Sequence, residues 1–134
     1  MAAQLQLEFI DLDLAIEAKY HITIPRFFEK YGESVFRKCE FQTLKECLQR
    51  DNVLIATGGG APCSEEAMKL INENSESIYL KLSEDKLVER LLNSKKKRPL
   101  TQHKTPDEMR DYVRTTLAAR EPFYKMAKRV LSDF

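Results

Sequence analysis

Glycine is scarce in this chain, with four residues in 134, and three of the four are consecutive. Cysteine is scarce and odd in number: Cys39, Cys47 and Cys63 show no CxxC spacing, and His21 and His103 stand apart from them. That pattern argues against a zinc site or a disulfide framework. Charge imbalance is missing too, since 22 basic and 21 acidic residues leave a formal charge of +1. Nothing overall therefore calls for a polyanionic partner or a membrane surface. No apolar run approaches the roughly 20 residues of a membrane span, and the opening residues lack the basic-then-apolar pattern of a signal peptide. The expected compartment is the cytosol, with thiols reduced and with no nucleic-acid or membrane partner. Repeats, low-complexity tracts and Pro/Gly/Ser linkers are also missing, so residues 1–134 are expected to form a single domain.

What is present alternates. Short apolar or β-branched runs at Leu7 to Asp11, Val53 to Thr57, Ser77 to Leu82 and, more weakly, Lys128 to Ser132 predict strands, with helical stretches between them. Thr23 and Pro25 open a helix that Gly32 stops, and a second helix follows over roughly Glu33 to Gln49. Ser64 caps SEEAMKLINEN, with two glutamates in the first turn. Thr105, Pro106 and Glu108 spell a capping box that opens a helix toward Arg120, which Pro122 then breaks. Strands separated by helices predict an α/β fold with a parallel sheet flanked by helices, whose ligands bind at the carboxyl ends of the strands.

The glycines follow the strand-like run in VLIATGGGAP. Bare backbone there suggests a loop shaped around a bound molecule or, more plainly, a strand-to-helix turn. The loop is not an ATP cradle, because G-x-x-x-x-G-K-[ST] needs a lysine and a hydroxyl where this chain has Ala61, Pro62 and Cys63. In FIDLD, Asp11 and Asp13 stand just past a strand end, where one carboxylate can hold a metal and the other address a substrate hydroxyl. Helix capping explains an aspartate there equally well. Arg37 and Glu40 share a helical face at i, i+3, either as a surface ion pair or as a guanidinium held ready to grip a carboxylate. In KKKRPL the lysines read as a solvated loop, while Arg98 could swing onto a transferring phosphoryl group. Arg120 near a helix C-terminus has a stabilising role open to it.

FIDLD, GESVFRKCE, ATGGGAP, RPL and REPFY, in that order, resemble the shikimate kinase family over essentially the whole chain. The resemblance implies an ATP-dependent kinase that phosphorylates the shikimate 3-hydroxyl in aromatic amino acid biosynthesis, with Mg²⁺ as cofactor. It implies that Asp11 helps organise Mg²⁺, through water, and that Asp13 binds a shikimate hydroxyl. Arg37 and Arg120 grip the substrate carboxylate on this reading, and Gly58, Gly59 and Gly60 line the shikimate pocket. Arg98 belongs to a lid at about residues 93–107 and contacts the nucleotide phosphates. Phe28 and Phe36 match the apolar wall of the substrate site, although helix aromatics also serve as ordinary core. The protein is expected to be a monomer.

The resemblance has a gap. Such a kinase begins with a strand, the G-x-x-x-x-G-K-[ST] loop and a helix before it reaches FID, and the 134 residues contain no such loop. About 25 residues are expected ahead of MAAQLQLE to supply them. The family's strand order of 2-3-1-4-5 makes the first strand the central one, so VLIAT and SIYLKL are expected to flank an open position. The chain by itself is expected to be inactive; the alternative is a shikimate-binding remnant without a nucleotide site.

Overall fold

A computed structural model describes residues 7–93 and 104–132. The elements run β1 (Glu8–Asp11), α1 (Leu12–Tyr20), α2 (Ile24–Leu48), β2 (Val53–Ala56), α3 (Glu65–Asn74), β3 (Ile78–Lys81), α4 (Glu84–Asn93), α5 (Pro106–Tyr124) and β4 (Arg129–Ser132). They divide into two compact units, Met1–Ser75 and Glu76–Phe134. The α/β alternation predicted from the sequence is observed, and all four predicted strands form within a residue or so of their expected ends.

In the first unit β1 and β2 pair in parallel, with Glu8 opposite Val53 and Asp11 opposite Ala56. The strand turns directly into α1 because Asp11 keeps an extended backbone while its Oδ1 accepts hydrogen bonds from the N–H groups of Asp13 (2.9 Å) and Leu14 (3.3 Å). These bonds satisfy two donors that a helix start leaves orphaned. Helix α1 ends at His21 in the left-handed region, and Thr23 caps the next helix. Gly32 interrupts α2 at φ 81°, ψ 170°, as the sequence predicts, and one helical segment continues into another across that kink. Leu12, Ile16 and Leu44 are fully buried, with Phe27 and Phe36 close behind, so the core of this unit lies where α1 meets α2.

In the second unit β3 and β4 pair in parallel, with Ile78 opposite Arg129 and Lys81 opposite Ser132. Helices α4 and α5 pack through Val88, Met109 and Val113, with Leu87, Leu91 and Tyr112 around them. Ion pairs from Arg110 to Glu84 and Asp85, and from Arg114 to Glu84, cross the same helix pair. The Thr105–Glu108 capping box is present at the start of α5. The end of α5 corrects the sequence reading: the helix does not break at Pro122 but runs through it to Tyr124. A proline inside a helix forfeits a hydrogen bond to the carbonyl four residues back and costs about 3 kcal/mol in an interior turn. Here only the final turn bears that loss.

Among the described residues the strands form two separate pairs, β1 with β2 and β3 with β4, and no ladder joins β2 to β3. Several strand side chains are apolar yet exposed, among them Phe9, Leu80 and Val130.

Candidate functional site

Parallel register brings two chemistry-bearing loops to one edge. Asp11 lies opposite Ala56, so FIDLD leaves β1 and TGGG leaves β2 at the same end of the pair. Asp13, in the first turn of α1, reaches the glycine loop: a Cβ built on Gly58 would stand 3.3 Å from Asp13 Oδ1. Gly58 also has φ +69°, a conformation that favours glycine. Hydrogen bonds tie the loop to itself. Thr57 Oγ1 donates to the Gly58 carbonyl at 3.0 Å, the Cys63 N–H donates to Gly60 O at 3.1 Å, and the Cys63 thiol donates to Gly59 O at 3.3 Å.

Arg37 approaches the same loop from α2. A Cβ on Gly60 would overlap the guanidinium, standing 2.6 Å from both Cζ and Nη2. The guanidinium is held from its other side, with Nη1 2.8 Å from Glu40 Oε1 and Nη2 3.4 Å from Glu33 Oε1. Glu40 is buried, with 6% of its side chain exposed, whereas Glu33 faces solvent. Burial works against the charge on Arg37, but hydrogen bonding and attraction from Glu40, with a smaller contribution from Glu33, keep its pKa above the ordinary arginine value. The helix spacing i, i+3 gives the Glu40 partner directly; Glu33, at i, i−4, was equally legible and sequence reading overlooked it. Cys63 as a brace for the glycine loop was also missed, and no local signal marks it.

Asp13, Arg37, Gly58 and Gly60 thus converge on one loop. A carboxylate can accept from a hydroxyl, a guanidinium can bind a carboxylate in a fork, and bare glycine backbone admits a ligand closely. A hydroxylated carboxylic acid fits that set. Phe36 is a core residue, packed edge-on against Phe27 at 5.5 Å and against Phe28 at 4.7 Å, while Phe28 remains half-buried. A cleft of about 740 Å³ lies elsewhere, lined by residues including Tyr20, Arg26, Lys30 and Tyr31, and contains none of the predicted site residues.

The family profile described as shikimate kinase matches residues 1–133. The chain belongs to the shikimate kinase family. A shikimate kinase of Azobacteroides pseudotrichonymphae is 40% identical over 131 residues, covering 97% of this chain and 77% of that relative. The crystal structure of shikimate kinase from Bacteroides thetaiotaomicron superposes with a TM-score of 0.93 at 38% identity, covering 98% of this chain and 74% of that one. Shikimate kinase from Acinetobacter baumannii, solved in complex with shikimate, superposes with a TM-score of 0.89 at 33% identity, covering 99% and 73%. The α/β architecture with parallel strands flanked by helices is that of these shikimate kinase structures.

Arg120 sits half-buried near the end of α5 in the second unit. Arg98, and the lid apart from its two ends, lie outside the described residues. Asp11 serves as the α1 cap through Oδ1. The carboxylate has a second oxygen, so a single water-mediated contact to Mg²⁺ fits it: this hard cation keeps several waters and needs few protein oxygens. Among the described residues no group of three or more His, Cys, Asp or Glu side chains forms a metal site.

Proposed function

We propose that this chain supplies the acceptor site of an ATP-dependent shikimate 3-kinase acting as a monomer in the cytosol. The observation that carries the reading is the convergence of Asp13 and Arg37 on the Gly58–Gly60 loop. In this reading Arg37 and Arg120 take the shikimate carboxylate by charge-assisted hydrogen bonds, and Gly58, Gly59 and Gly60 form the wall against which the ring lies. Phe28 contributes apolar surface, and Phe36 supports it from the core. Asp13 accepts the hydrogen of the 3-hydroxyl and aims that oxygen at the γ-phosphorus. As the new P–O bond forms, the bond to the ADP oxygen breaks and the hydroxyl proton passes to Asp13 or to water. Arg98 steadies the charge that spreads over the transferring phosphoryl group. Asp11 is the residue that would hold Mg²⁺ through water, and the ion would supply charge neutralisation on the nucleotide phosphates.

A second reading is an acceptor-binding chain without kinase activity. Two measurements decide between them. Calorimetric titration of shikimate into the 134-residue chain should show binding, and failure to bind would overturn the acceptor-site reading. A coupled ADP-release assay should show no turnover by that chain. Fusing a strand, G-x-x-x-x-G-K-[ST] loop and helix from a shikimate kinase relative ahead of Met1 should produce turnover. A fusion that binds both substrates but stays inactive would favour the binding-only reading.

A further inference from the structure

The Arg37 guanidinium meets Gly60 across one face and two carboxylates along its edges, and the two carboxylates differ. A Cβ built on Gly60 would be nearly equidistant from Cζ and both Nη nitrogens, a position off the guanidinium plane, so the glycine backs one face. The edges carry the glutamates. Glu40 reaches Nη1 at 2.8 Å with 6% of its side chain exposed, whereas Glu33 reaches Nη2 at 3.4 Å with 56% exposed. The short, buried contact is costly to break, and the long, solvent-facing one is readily exchanged. Glu33 is the first residue after the Gly32 kink, and its i, i+4 spacing from Arg37 sets the contact. A carboxylate that takes a guanidinium by two parallel hydrogen bonds uses either the Nη1/Nη2 edge or the Nη2/Nε edge. Nη2 belongs to both.

We infer that Glu33 is an internal competitor for the acceptor carboxylate: it addresses the one guanidinium nitrogen that either fork requires, and shikimate must displace it to grip Arg37 with both carboxylate oxygens. The inference rests on the acceptor-site reading of Arg37. The two glutamates then have opposite effects on affinity. Glu40 holds the guanidinium in place from its buried side, while Glu33 keeps the exposed side satisfied until a ligand carboxylate takes over and the glutamate turns to solvent. An exposed ion pair contributes little, so the exchange subtracts only a small share of the binding free energy.

The test is calorimetric titration of shikimate into the 134-residue chain and two variants. Glu33→Gln keeps the shape of the side chain and removes its charge. It should tighten shikimate binding about two- to fivefold, the range that losing an exposed competing ion pair allows. Glu29→Gln removes another exposed charge from the same helix, four positions earlier and on the far side of the Gly32 kink. It should bind shikimate within about 1.5-fold of the parent, since a screened charge away from the fork competes for nothing. Parental or weaker affinity in Glu33→Gln would make Glu33 a support for Arg37 and overturn the inference. Equal tightening in Glu29→Gln would mark a general charge effect and overturn it too. Lack of shikimate binding by the parent chain would instead overturn the acceptor-site reading, and this inference with it.

Discussion

Gly60 and Arg37 exclude each other's side chains: the space that a Cβ at position 60 would occupy already holds the Arg37 guanidinium. The two residues are 23 positions apart in sequence, and only the docking of α2 beside the loop after β2 brings them together. The guanidinium is the far end of a flexible side chain, and Gly60 has no positive φ. Gly60→Ala should therefore displace Arg37 without straining the backbone. Thermal unfolding should shift by no more than a few degrees. Shikimate affinity should fall about tenfold through the displaced guanidinium. A variant that unfolds much earlier, or one with parental affinity, would contradict this account.

Arg37→Ala and Arg120→Ala should each weaken shikimate binding by roughly one to two orders of magnitude, since a charge-assisted hydrogen bond contributes about 1.5–3 kcal/mol. Arg37→Ala also leaves the buried Glu40 carboxylate without its guanidinium, so this variant should lose stability as well. Titration and thermal melts on the two variants check both statements. Equal stability losses in the two would show that the Arg37–Glu40 pair is not buried as described.

Tyr79 gives a pH prediction. Burial, followed by the hydrogen bond to Glu121 and the charge of that carboxylate, pushes its pKa from the ordinary 10 up to about 12. The folded state therefore holds this proton more tightly than the unfolded chain does. That stabilisation is complete below pH 10, declines as pH rises through the interval from 10 to about 12, and is gone above it. Denaturant melts across this range should show the parent losing stability more steeply than Tyr79→Phe. Parallel curves would mean that the hydroxyl is not held by Glu121.

Gly32 kinks α2 at φ +81°, with nothing within 4 Å of the point a Cβ would take there. Space is therefore no obstacle to a side chain, but backbone conformation is. Gly32→Ala should destabilise the chain by about 1–3 kcal/mol, because φ +81° with ψ 170° is a conformation essentially confined to glycine. Gly32→Asn should lose about as much, since asparagine tolerates the left-handed helical region and not this extended one. Chemical denaturation measures both, and an Ala variant as stable as the parent would refute the strain.

Local structure was legible in the sequence wherever the cause is local. The strands at FID, VLIA, IYLK and RVLS, the caps at Thr23, Ser64 and Thr105, and the break at Gly32 each follow from a few adjacent residues: apolar runs of strand length, a side-chain oxygen before a helix, a residue free to take positive φ. The order of the motifs also carried the family. Pro122 misled because the rule that proline ends a helix is local, whereas the anchoring of that turn by Tyr79 comes from a strand 43 positions earlier in the chain. The pairing of Asp11 with Ala56, which brings FIDLD and the glycine loop to one edge, is likewise a matter of strand register, and the fit of Arg37 against Gly60 is a matter of helix docking. Sequence alone supplied the carboxylate, the guanidinium and the bare loop; the tertiary structure decided that they meet, because parallel pairing and helix packing are set by contacts between residues that no local pattern links.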